Sequence, residues 1–530
     1  MSTAVAGYGD IPRRHALTNG VNPWLIAAAV MSATFMEVLD TSVANVALPH
    51  IAGTLSATTE EATWVLTSYL VSNAIVLPAT AWLSGFFGRK RFLVTCIVIF
   101  TISSLLCGIA TSLPMLILAR IMQGVGGGAL QPIAQAVLLE SFPKEKRGQA
   151  MAVYAMGIVV APVIGPTLGG WITDNFTWRW VFLINLPVGI LATFMTNMFV
   201  TDPPYARRHK TQTIDYIGLG LMILWIGTLQ VVLDKGEQDG WWDATWIKWA
   251  TVIISGGFVA FVWRELTADH PIVDLRVFTN RNFLVGTVLI AVVGAALYGT
   301  VALLPLFLQT IMGYPALQSG MAVSPRGIGA FFASIVVGRI VAKVDNRLLI
   351  AAGFLILAYG SYELTQINLE IAFKNIMMPN VVMGVGLAMI FVPLLTVTMG
   401  TLRNDQLGNA TGIYSLLRNI GGGLGISAVS TMLARGNQIH QNVMVGHLTP
   451  YDPAYVNHMK ELTNVMTPHV GAANAHGAAL GIMYQTLSVQ ARLASFADCL
   501  RLFTWLIIIC VPLVFMFQAV KHKKPPAGAH

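Results

Sequence analysis

The chain has 530 residues, of which 55% are hydrophobic and only 11% charged, where soluble domains carry roughly 25% charged residues. That composition excludes a soluble enzyme or a disordered chain and indicates an all-α polytopic membrane protein. The net charge of +8 has to be located along the chain before it can be read as affinity for nucleic acid.

A helix crosses the hydrocarbon core with about 20 mostly apolar residues. Fourteen such runs follow one another: 23–48, 62–84, 92–112, 114–137, 147–173, 179–201, 213–233, 246–266, 283–308, 317–340, 347–366, 376–400, 408–434 and 497–519. Residues 1–22 lack an apolar region with a small-residue cleavage site, so the first run is expected to serve as the insertion signal.

The first run holds "MEVLDTSVANVALP" over residues 36–49, with Glu37 and Asp40 three residues apart and therefore on one helix face. A charge at the bilayer centre costs about 2.5–3.5 kcal/mol on insertion scales, so such an acid faces the bundle interior, pairs, or takes up a proton. Desolvation and like charge both favour the neutral carboxyl. A switchable proton site is one expectation, and a carboxylate locked to a base for structure is the other.

Asn45 and Asn73 add neutral polar positions in the first two runs. In the fourth run Arg120 sits inside apolar sequence and cannot lose its proton, which makes it a candidate partner for Asp40, with Gln123 one turn away. Asn45, Asn73 and Gln123 could touch a ligand in a cavity or simply bond helix to helix. The runs "QGVGGGALQP" and "NIGGGLGIS" follow no strand and are expected to be close-packing helix surfaces rather than dinucleotide sites.

The stretches "RIMQGVGGGALQP" (120–132) and "NVVMGVGLAMIFVP" (380–393) align Gly124 and Gly126 with Gly384 and Gly386, and Arg120 with Asn380, at an offset of 380 − 120 = 260 residues. Two six-helix halves separated by two extra helices would produce that offset, and transporters are often built from such repeats. The expected division is 1–202 for the N-terminal half, 203–274 for a linker and two additional helices, and 275–530 for the C-terminal half. The basic, Pro-containing "TDPPYARRHKTQ" reads as the linker. Residues 435–496 are expected to be a long polar loop, and its His440, His447, His458, His469 and His476 fit no compact metal motif. Arg326, Arg418, Asp498 and Arg501 are ionisable residues in or near spans whose depth the sequence does not set.

Most of the 32 Lys and Arg residues fall in the N-terminus, the even-numbered loops and the C-terminus, among them Arg13, Arg14, Arg89, Lys90, Arg91, Lys144, Lys146, Arg147, Arg207, Arg208, Lys210, Lys343, Arg347, Lys521 and Lys523. By the positive-inside rule both termini are expected to be cytoplasmic, and the basic balance reports topology, with no nucleic-acid partner. Cys96, Cys107, Cys499 and Cys510 all lie in spans without close spacing, so neither a disulfide nor a zinc site is expected. No nucleotide-binding G-x-x-x-x-G-K-[ST], no serine–histidine–acid grouping, no H-E-x-x-H and no C-x-x-C is present, so enzyme activity is not expected.

These residues resemble the major facilitator superfamily, and within it the fourteen-helix drug/proton antiporter branch of EmrB-type exporters. The first-helix signature L-D-x-T-x-x-N-x-A-L-P reads "LDTSVANVALP" from Leu39 to Pro49, with Ser42 where threonine is usual. The fourth-helix R-x-x-Q-G is Arg120, Gln123 and Gly124, and the fifth-helix antiporter signature is Pro162, Gly165, Pro166, Gly169 and Gly170. The loop after the second helix keeps Gly88, Arg89 and Lys90 as a cytoplasmic gate loop but has Gly85 at the acidic position, which removes the acid that latches the halves in the family.

The resemblance implies a major facilitator fold of two six-helix halves plus two central helices in a bacterial inner membrane. It implies export of lipophilic toxic compounds coupled to protons through Asp40 and Arg120, with Glu37 beside them and no cofactor. A specific metabolite or fatty acid as cargo, or proton-coupled uptake, are the alternatives. EmrB-type members work with a periplasmic membrane-fusion adaptor and an outer-membrane channel, which makes 435–496 a candidate adaptor contact.

Overall fold

The structure, a computed structural model, describes residues 21–143, 146–202 and 215–518. Of the basic residues that set the expected orientation, Arg13, Arg14, Lys144, Arg207, Arg208, Lys210, Lys521 and Lys523 lie outside the described residues, as does most of the linker.

Fourteen helices of membrane-spanning length follow in order, with one further helix between the last two. They are α1 (Pro23–Thr54), α2 (Thr59–Phe87), α3 (Arg89–Gly108), α4 (Leu113–Ser141), α5 (Arg147–Asn175), α6 (Trp180–Phe199), α7 (Tyr216–Lys235), α8 (Thr245–Thr267), α9 (Arg281–Thr310), α10 (Leu317–Ile340), α11 (Asn346–Leu364), α12 (Phe373–Gly400), α13 (Leu407–Val445), α14 (Pro453–Val470) and α15 (Ala472–Val514). Their starts are chemically marked. Asn22 accepts from the Trp24 amide ahead of α1, and Thr58 and Glu61 form a capping box on α2. α4 turns at Gly128 and Ala129, where Pro132 has no amide to give the Gly128 carbonyl.

Among the described residues, thirteen of the fourteen helices of membrane-spanning length contain a predominantly apolar window long enough to cross the membrane, and α13 is the exception. It packs against α2, α9 and α15, so protein rather than lipid surrounds much of it and Arg418 can be accommodated.

The expected loop over 435–496 is instead helical. α13 continues to Val445, α15 already starts at Ala472, and α14 lies against α15 through buried Met459, Ala479 and Met483. Ala, Leu, Met and Gln dominate 472–495, and their helix propensity outweighs the polar character that suggested a loop. At about 1.5 Å per residue, the 39 residues of α13 and 43 of α15 carry both helices well past the hydrocarbon core. We call this the projecting end, and the end bearing the α2–α3 turn at Gly88 the basic end.

α1 packs on α5, while α2 and α3 pack on α4; in the other half α9 packs on α13, while α10 and α11 pack on α12. The halves meet where α5 runs against α10 and α12, and where α2 runs against α13. α7 and α8 pair with each other, and α7 leans on α2 and α13. Hydrogen bonds Thr67–Asp234 and Lys235–Thr63 fix it to α2, and Trp241 Nε1 donates to Thr431 Oγ1 at 2.9 Å on α13.

The glycine match recurs as geometry. A Cβ on Gly126 would come within 2.7 Å of the Phe100 amide nitrogen and 2.9 Å of the Cys96 carbonyl oxygen on α3. A Cβ on Gly386 would come within 2.7 Å of the Leu357 nitrogen and 2.9 Å of the Gly353 oxygen on α11. Both are backbone contacts that cannot yield. Gly386→Val is therefore expected to cost about 1–3 kcal/mol or more and to lower the thermal unfolding midpoint in detergent, whereas Gly400→Ala, which meets nothing within 4 Å, should leave it unchanged.

Candidate functional site

The polar centre is built on α1. Asp40 and Arg120 are wholly enclosed, with Arg120 Nη1 2.6 Å from Asp40 Oδ2. Unpaired, either charge would carry a desolvation cost of several kcal/mol, and the surrounding residues bond both carboxylate oxygens and the Nε and Nη1 of the guanidinium, while Nη2 has no hydrogen-bond partner among the described residues. Asp40 Oδ1 accepts from Gln123 Nε2 at 3.0 Å and Asn185 Nδ2 at 2.6 Å. Arg120 donates through Nε to the Val65 carbonyl at 2.9 Å and through Nη1 to Gln123 Oε1 at 2.8 Å, and lies 4.2 Å over the Tyr69 ring. Ser104 Oγ closes the network by accepting from Gln123 at 3.2 Å and Asn185 at 3.0 Å.

Glu37, one turn away, is also buried but has a separate set of partners. It accepts from Tyr69 OH at 3.1 Å, Asn73 Nδ2 at 3.1 Å and Gln131 Nε2 at 2.5 Å. The other end of Gln131 leads out of the half, because its Oε1 accepts from Arg418 Nη2 on α13. Tyr69 touches both acids' surroundings, with its hydroxyl on Glu37 and its ring under Arg120.

The fifth-helix signature is joined to this centre through Ser42. Pro166 has no amide to offer the Pro162 carbonyl, and Ser42 Oγ on α1 donates to that oxygen at 2.9 Å. Gly165 faces the Ser42 side chain, and a Cβ on Gly169 would be 3.1 Å from the Val43 carbonyl, so α1 and α5 approach closely along this stretch. Gly170 is buried on the same helix.

The structure thus brings together Glu37, Asp40, Asn73, Arg120 and Gln123. Asn45 is not among them. It is exposed, and its side chain makes no hydrogen bond among the described residues. Asn185, Ser104, Tyr69 and Gln131 were not singled out in the sequence, where each is one polar group in an apolar run and only the fold shows what it faces. Arg418 reaches Gln131 as described. Arg326 is fully buried and donates to Asn380 Oδ1 at 3.1 Å and Thr300 Oγ1 at 2.9 Å, while Asp498 bonds His440 at 2.7 Å and Arg501 at 2.8 Å near the projecting end.

At the basic end, Gly88 takes φ = +86°, which glycine adopts without strain. Arg89 pairs with Glu140 on α4, and the Lys90 amide donates to Asp202 Oδ1 at 2.7 Å. Gly85 leaves the family's acidic position empty, and these two acids hold the turn within its own half.

Fourteen membrane-length helices in two packed halves, enclosing an acid–arginine pair, define a membrane transporter of the major facilitator fold. The Major Facilitator Superfamily model matches residues 30–426, and the chain belongs to that family. It is 37% identical over 500 residues to the fatty acid resistance protein FarB of Neisseria gonorrhoeae, covering 92% of this chain and 95% of that protein. It is 38% identical over 430 residues to the multidrug export protein EmrB of Haemophilus influenzae, covering 81% and 84%, and 36% identical over 430 residues to that of Escherichia coli K12, covering 81% and 84%. The crystal structure of the human organic anion transporter MFSD10 superposes with a TM-score of 0.56 at 12% identity, covering 92% of this chain and 99% of that one, which is a likeness of fold.

Removing the Ser42 hydroxyl strands a buried carbonyl, so Ser42→Ala is expected to cost about 1–3 kcal/mol and lower the melting temperature. Ser42→Thr, which keeps the donor, should stay near the original value.

Proposed function

We propose that the chain is a proton-coupled multidrug efflux antiporter that exports lipophilic compounds by alternating access. What carries this reading is the enclosed Asp40–Arg120 pair on two signature helices, together with relatives named as multidrug export proteins over most of the chain. A proton on Asp40 removes the charge that holds Arg120, and the freed guanidinium then favours the other arrangement of the halves. Moving one charge down 100 mV contributes about 2.3 kcal/mol, or roughly fifty-fold in an equilibrium, which suffices for useful export. The reading places the chain in a bacterial inner membrane with both termini cytoplasmic, and the projecting helices then face the periplasm as the contact for a membrane-fusion adaptor that leads to an outer-membrane channel.

In liposomes given a pH gradient and rhodamine 6G, a lipophilic cation, wild-type protein should accumulate the dye and Asp40→Asn should lose most of that gradient-driven accumulation. Undiminished accumulation by Asp40→Asn would remove the coupling role. A second cargo class, fatty acids, is favoured by the relative named for fatty acid resistance and by Arg326 and Arg418, which among the described residues have no carboxylate within ion-pair distance. Glu37→Gln is expected to change the ratio of rhodamine 6G to laurate transported; an unchanged ratio would exclude Glu37 from sensing substrate charge.

A further inference from the structure

We propose that Gln131 and Arg418 are positioning residues that tie the Glu37 carboxylate across the interface between the halves, so that proton occupancy at Glu37 follows closure of the basic end. This rests on the proton-linked reading above and adds a second, contact-dependent proton site to it.

Glu37, on α1, receives three hydrogen bonds and all come from neutral donors, Tyr69, Asn73 and Gln131. The ionisable groups that face it from the elements around it are Tyr69 on α2, Tyr154 on α5, Tyr298 on α9 and Arg418 on α13, while Asp40 lies one turn further along α1 and pairs with Arg120 of α4. Arg120 is already committed to Asp40. Among the described residues, Arg418 is therefore the cation left to balance Glu37, and it belongs to the opposite half. Arg418 itself has neutral partners, Gln131 Oε1 and, at 3.5 Å, Tyr154 OH, and its Nε has no hydrogen-bond partner among the described residues.

A glutamine suits this position because its amide donates at one end and accepts at the other. Nε2 presents a donor to the carboxylate, while Oε1 presents an acceptor to the guanidinium. Each bond polarises the next in a low-dielectric interior. An aspartate or glutamate here would repel Glu37, and an apolar residue would strip the partner from Glu37 Oε2 and from Arg418 Nη2.

The tie is also placed where it must break. α4 is buried at every residue from Ala129 to Glu140, so the halves are packed together from Gln131 towards the basic end. Gly338 lies against Ala152, with a Cβ there only 2.7 Å from the alanine Cβ, and a Cβ on Gly412 would be 2.9 Å from the Leu77 carbonyl. A cavity that opens to the basic end parts α4 from α13 and separates Gln131 from Arg418. Glu37 then loses its balancing cation and holds a proton more firmly, so by linkage a proton that reaches Glu37 favours opening of the basic end.

The test is an infrared titration of the full chain in lipid, following the C=O stretch of a buried protonated carboxyl that is missing in Glu37→Gln. Both Gln131→Met and Arg418→Gln should move the midpoint of that band to higher pH, by about one unit or more, and Arg418→Lys should restore it towards the wild-type position. Midpoints unmoved in both variants overturn the proposal, as does a shift in Gln131→Met with none in Arg418→Gln, which would make Gln131 a local donor only. If Arg418→Gln does not fold, Arg418→Met takes its place as the charge-removing variant, and a midpoint unmoved in Gln131→Met overturns the proposal by itself. The measurement needs no transport, so a failed relay is distinguishable from a failed export reading, which shows in the Asp40→Asn liposomes.

Discussion

An ion pair sealed from water dictates the rest of this structure. Asp40 and Arg120 have no solvent to fall back on, and removing one member of such a pair typically costs 3–5 kcal/mol because the other is left charged and alone. Adding a proton to Asp40 is chemically the same injury as deleting its charge. The surrounding amides and hydroxyls cannot replace a lost anion, since Gln123, Asn185 and Ser104 are neutral, and Tyr69 offers only the face of its ring. A rearrangement of helices is the remaining way to satisfy the guanidinium, and under the proposed proton coupling that is how a bonding change over a few ångströms would acquire the reach of a whole half-bundle.

Backbone chemistry places the lever beside the switch. Ser42 stands two residues after Asp40 and supplies the hydrogen that Pro166 withholds from the Pro162 carbonyl. α5 is thus a helix with a missing internal bond, mended by a neighbour, and the mending residue sits on the same helix as the enclosed Asp40. Glycines at 165 and 169 bring the two backbones close enough for this to work. α1 cannot turn or slide without disturbing either the ion pair or the repaired carbonyl.

Much of this was visible in the order of residues alone. Charge in an apolar run is expensive, so Glu37, Asp40 and Arg120 stood out, and the spacing of Gly124 and Gly126 against Gly384 and Gly386 foretold two corresponding helix packings. The partners of Glu37 were not legible. Gln131 and Asn185 are single amides whose orientation depends on the crossing of helices distant in sequence, and Arg418 could be located on a span without any indication of its neighbour. The helical content of the 435–496 connection was not legible for a different reason, because polarity was weighed above helix propensity in a segment rich in Ala, Leu, Met and Gln. Asn45 shows the opposite limit. Its place in a signature motif did not bring it to the buried centre.

The two longest helices have a mechanical consequence. α13 and α15 run without interruption from the interior of the C-terminal half to the projecting end, α13 for about 58 Å at the helical rise. A rod of that kind has no joint at the membrane surface in which a rotation could be absorbed. Whatever angle the half turns through in its cycle is delivered to the tips as an arc that grows with distance from the pivot, so a small rocking motion inside the bilayer becomes a sweep outside it.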